Sequence, residues 1–158
     1  GLIPGSTIKG IRLRNAEGFE DQPSKKAHFT NLQVALSQKS DLVQTNGLTT
    51  SFSSNIGSRR SIVRSGGFDL YKDSLPSTGV HPDSVGTGPF GQAIRFNKTY
   101  RYMGGSLLIE FTNAGGTYQS PILLDALGTR SIQGIFKLSN SKSATPIRAV
   151  PALEFILK

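Results

Sequence analysis

PFGQAIRFNKTYRYMGGSLLIEFTNAGG, residues 89–116, carries two β-strands joined by an aromatic, basic turn region. In its second half Leu107, Ile109 and Phe111 fall in one phase, and Leu108 and Glu110 in the other. Successive strand side chains point to opposite faces, so this alternation predicts a strand with one strongly buried face. The turn that follows, Asn113-Ala-Gly-Gly116, is a glycine-containing hairpin connection.

Working outward, the same reasoning finds strands on both sides. In Thr7–Arg14 (TIKGIRLR), Ile8 is in one phase and Ile11 and Leu13 in the other; the switch at Gly10 predicts a β-bulge. Residues 29–37 form a strand with Leu32, Val34 and Leu36 inward. Residues 59–66 and 68–71 make short strands, and 92–97 and 102–112 fall within the opening stretch. Residues 117–124, 131–138 and 150–157 complete the set. One short helix is expected near residues 46–56, where Leu48, Phe52 and Ile56 recur at helical spacing, with Thr45 or Asn46 to cap it and Gly57 to end it. About nine strands spaced by turn signals predict an all-β fold, a two-sheet β-sandwich of jelly-roll type. With no repeat and no change of composition, residues 1–158 read as a single domain.

A chain of 158 residues buries about two-thirds of the surface it exposes when unfolded, so its core needs no help from disulfides, and it has no cysteine. Net charge is +8, from 18 Lys and Arg against 10 Asp and Glu. The cations are scattered rather than blocked, which argues against a nucleic-acid-binding tail; nucleic acid is not the expected partner. A basic surface of this kind suits an acidic polysaccharide or a cell envelope. No apolar run is long enough to span a membrane. A chain opening at Gly1 suits a processed, mature form or an artificially trimmed one. The apolar ends, GLIP and EFILK, are expected to pack on the domain or on a neighbour.

The candidate motifs point away from catalysis. Gly86-Thr-Gly-Pro-Phe-Gly91 has dinucleotide-motif spacing, but a strand follows it where a helix is required, so it reads as a turn. His28 and His81 are the only histidines, too few for a zinc site without cysteine. His81 and Asp83 form a local pair with no recognisable nucleophile. Asp69, Asp73 and Asp83 form a loose candidate calcium segment lacking EF-hand density. No metal or cofactor is expected. Arg95, Lys98, Tyr100, Arg101 and Tyr102 interleave cations and rings, a pattern able to stack on sugars or bases. Asn97-Lys98-Thr99 is an N-glycosylation sequon.

The segments FTNLQVALSQKS (29–40), LTTSFSSNIGS (48–58), VRSGGFDL (63–70) and residues 89–116 together resemble a group of uncharacterised bacterial secreted β-sandwich proteins, many carrying a C-terminal PEP-CTERM sorting signal. The resemblance covers roughly residues 8–113. It implies a secreted, extracellular β-sandwich; its motifs are packing and turn motifs and imply no activity. This chain departs from the pattern in having no sorting helix after Lys158.

These readings converge on a non-enzymatic, secreted structural or adhesive protein, a subunit of an extracellular or cell-surface assembly such as a filament or layer. The expected partner is another copy, engaged through strand or sheet-edge contacts at Leu2, Ile3, Phe155, Ile156 and Leu157. The alternative is a carbohydrate-binding module using the 72–91 loop and the Tyr100/Tyr102 face, with Arg95, Lys98, Arg101 and His81 as further contacts.

Overall fold

In a computed structural model, β1 (Thr7–Arg14) is the central strand of a three-stranded sheet. It pairs antiparallel with β6 (Phe90–Arg101) on one side and with β13 (Leu153–Leu157) on the other. The structure describes residues 2–15, 21–40, 49, 51–76, 89–117, 126–127, 134–136, 145–147, 150–151 and 153–158. Among the described residues the fold is all-β with one short helix.

A second three-stranded sheet has the order β4-β3-β7, built from Ser61–Arg64, Leu32–Gln38 and Leu107–Asn113. A third has the order β5-β2-β8, from Phe68–Leu70, Ala27–Phe29 and Gly116–Thr117. Two short pairs complete the described strands: β9 (Ala126–Leu127) with β12 (Val150–Pro151), and β10 (Gly134–Phe136) with β11 (Thr145–Ile147).

One apolar cluster joins the first two sheets. Ile8 and Ile11 from β1 and Ile94 and Tyr100 from β6 meet Leu32, Val34 and Leu36 from β3 and Val63 from β4. Leu107 and Ile109 of β7 and Phe155 of β13 pack against it. Burial of this kind contributes roughly 1.5–3 kcal/mol for each large side chain removed from water. A smaller cluster, Ala27, Leu70 and Leu75, lies under the third sheet.

The bulge expected at Gly10 is present. Ile8 faces Leu157 and Gly10 faces Ile156, so Lys9 is the extra residue on β1. On the other side the ladder jumps from Ile8–Tyr100 to Gly10–Arg95, so residues 96–99 bulge from β6 as well. Gly10 is needed there: a Cβ would stand 2.8 Å from the Ile94 carbonyl oxygen.

Two expectations are corrected. The hairpin expected across Asn113–Gly116 is not formed, since β7 pairs with β3 and β8 with β2; β6 in turn pairs with β1, so the turn at 102–106 carries the chain from one sheet to another. The helix α1 spans only Phe52–Asn55, with Phe52 exposed; most of residues 46–50 lies outside the described residues. Ser51 caps it. The buried Asn55 side chain closes back on Thr49, accepting from its N–H at 2.8 Å and donating to its carbonyl at 3.0 Å. The strands expected at 117–124 and 131–138 are described only as β8 and β10, and His81, Asp83 and most of the 72–91 loop lie outside the described residues.

Candidate functional site

Directly paired residues share a face of a sheet. Ile11 faces the core with its partners Ile94 and Phe155, so Gly10, Arg12 and Thr7 point away from it. Arg95 is the partner of Gly10 and Arg101 the partner of Thr7, which sets both arginines on this outer face. Lys98 stands in the β6 bulge, exposed. The acid on this face, Glu154, is held by Arg12 at 2.7 Å. Among the described residues Arg95, Lys98 and Arg101 have no acidic partner. These three cations, beside Thr7 and Ala93 of the same face, form a surface of positive potential open to solvent.

The two tyrosines expected beside these cations do not provide a stacking platform. Tyr100 is 6% exposed and part of the core; burial pushes its hydroxyl pKa up, against a pull downward from Arg59. Tyr102 packs against the same cluster and donates its hydroxyl to the Gly105 carbonyl at 2.6 Å. The correction has a simple cause: positions 94, 96, 100 and 102 share one phase of the strand, and that phase is the inward one.

The apolar ends belong to their own sheets. Phe155 and Leu2 pack on the core, and Ile156 lies over Gly10. Residues 3–6 run beside the 102–105 turn, with the Gly5 N–H donating to the Tyr102 carbonyl at 2.6 Å and the Tyr102 N–H to Ser6 at 2.8 Å. Of the residues expected to contact a neighbouring copy, Leu2, Phe155 and Ile156 pack within this chain's own sheets. Ile3 (72% exposed), Met103 (45%) and Leu157 (45%) remain in solvent at this end of the sheet.

A cluster that sequence reading missed lies on the outer face of β5-β2-β8. Asp69 sits opposite His28, which sits opposite Thr117. The Asp69 carboxylate bonds His28 Nδ1 at 2.7 Å and Lys26 Nζ at 2.8 Å. Lys26 also lies 5.7 Å from the centre of the Tyr71 ring. Gln92 donates to the Asp69 carbonyl at 2.7 Å and accepts from the Tyr71 N–H at 3.0 Å, fixing the strand end that carries both. Lys26 and then His28 hold the Asp69 carboxyl below its ordinary range, and Asp69 raises the Lys26 ammonium. His28 and Asp69 are 41 positions apart, so only strand pairing brings them together. Asp73 is taken by Lys72, and among the described residues no group of three potential ligands gathers for a metal.

Among the described residues no helix is long and apolar enough to cross a membrane. No protein-family model, curated protein or solved structure matches this chain.

Proposed function

We propose that this chain is an exported, adhesive β-domain that grips an acidic polymer, such as an anionic polysaccharide of a cell envelope, through the outer face of β13-β1-β6. The observation that carries this reading is the trio Arg95, Lys98 and Arg101, exposed and without acidic partners among the described residues. Electrostatic attachment on a flat sheet needs no cleft and no catalytic group; export rests on the family resemblance. In this reading the first two sheets stack as a jelly-roll-like sandwich in a single domain, supported by their shared cluster and by the passage of β6 into β7 across it.

The test is retention on an immobilised polyuronate under a salt gradient. Wild-type protein is retained at low salt, and the Arg95→Ala, Lys98→Ala, Arg101→Ala triple variant elutes early. Wild type in the flow-through, or equal elution of the two, overturns the proposal.

A second reading is self-association through the end that exposes Ile3, Met103 and Leu157. Sedimentation velocity decides it: a concentration-dependent oligomer that Ile3→Ser with Leu157→Ser dissolves supports it, and a monomer at all concentrations removes it.

A further inference from the structure

We infer that the outer face of β5-β2-β8 is a second binding site, built for a neutral sugar chain, with Tyr71 as its platform and Asp69, His28 and Lys26 as its hydrogen-bonding groups. Tyr71 is 56% exposed, the most exposed tyrosine or phenylalanine among the described residues. In a monomer an isolated ring in water needs no explanation, but this one borders an organised polar group. Strand register sets Tyr71 beside Lys26 and puts Asp69, His28 and Thr117 in one row across three strands. Cross-strand neighbours stand about 5 Å apart, so the row offers polar groups at regular steps.

The charges of the cluster decide the ligand class. The Asp69 carboxylate is bound to both Lys26 and His28, so the Lys26 charge is already compensated. An anionic ligand would compete with Asp69 for the same groups. A neutral polyhydroxylated ligand would not: its hydroxyls can donate to the carboxylate's remaining lone pairs and accept from the free Lys26 N–H groups. Its apolar ring face can lie on Tyr71. The side chains are also held in place before any ligand arrives. Asp69 is fixed by two partners and the backbone of Tyr71 by Gln92, so little side-chain freedom is lost on binding. This contrasts with the uncompensated Arg95, Lys98 and Arg101 face, so the two sites select different polymers.

Affinity electrophoresis tests the inference with soluble polysaccharides cast in the gel: a neutral β-glucan, a galactomannan and a xylan, with polygalacturonate as the charged comparison. The expected result is retardation in at least one neutral gel. It weakens at least tenfold in Tyr71→Ala, is retained in Tyr71→Phe, and is unchanged in the Arg95, Lys98, Arg101 triple variant. Migration unaffected by every neutral polymer, or retardation that Tyr71→Ala and Asp69→Asn leave intact, overturns it. Retardation by polygalacturonate alone also overturns it while leaving the basic-face proposal standing.

Discussion

The side-chain oxygen of Asn97, in the β6 bulge, accepts the backbone N–H of Ser65 at 2.9 Å. Ser65 directly follows β4, so the bond joins the edge strands of two different sheets. Replacing Asn97 with Ala leaves that N–H to water. The expected loss is about 0.5–1.5 kcal/mol, the net worth of one such bond. Chemical denaturation measures it, and faster exchange of the Ser65 amide proton localises it.

Gly10→Ala is expected to be more costly. The new methyl meets backbone of β6 at 2.8 Å and the Ile156 side chain at 3.2 Å, and a strand backbone yields less readily than a flexible side chain. Overpacking of this kind costs about 1–3 kcal/mol, read as a lower denaturation midpoint. Gly116→Ala meets the His28 carbonyl still more closely and is expected to detach β8 from β2.

Packing outweighs the ion pair on β1. Ile11 is wholly buried, and Ile11→Ala is expected to cost about 2–5 kcal/mol. Glu154→Ala, which breaks the half-exposed pair with Arg12, is expected to cost about 0.2–1 kcal/mol. Equal losses in thermal unfolding would refute this ordering.

Acid acts on Asp69. Its folded carboxyl titrates below its unfolded value of 3.8, so its contribution to stability is present above that pH and is lost as pH falls through the depressed folded value. Lys26 runs the opposite way: its folded pKa lies above 10.5, so its contribution holds below that pH and is lost as pH rises through the folded value. Asp69→Asn is expected to flatten both limbs of a stability–pH profile relative to wild type. Profiles that stay parallel would show that the cluster does not couple to folding.

Salt separates the two proposed sites. Binding at Arg95, Lys98 and Arg101 is expected to weaken steeply as sodium chloride rises toward about 1 M, where the screening length is near 3 Å. Binding at Tyr71 is expected to change little over the same range. Polysaccharide retention measured at both salt levels distinguishes them.

Much of the fold was legible because strand phase is local. The shift from Ile8 to Ile11 around Gly10 announced the bulge, and Leu107 and Ile109 announced the inward face of β7, although Phe111, in the same phase, is 39% exposed. Pairing was not legible: nothing between residues 101 and 107 reveals that β6 and β7 enter different sheets. Tyr100 was misplaced because Lys98 shares its phase and reads as surface; the β6 bulge lets Lys98 reach water while Tyr100 turns inward. The helical spacing of Phe52 and Ile56 misled because Asn55 ties the segment back to Thr49 after one turn. Arg95, Lys98 and Arg101 were singled out by their interleaving with aromatic residues. Lys26, His28, Asp69 and Tyr71 were missed because their relation exists only once β2 lies beside β5.

The pairing of β1 with β13 has a consequence for how the chain is made. A ribosome releases Ile8 and Ile11 long before their edge partners Leu157 and Phe155. Until then that flank of β1 has no strand to cover it, and open strand flanks are where nascent chains stick to one another. The β13 strand therefore acts as a seal, and a product cut short before Leu153 would leave the ribosome unsealed.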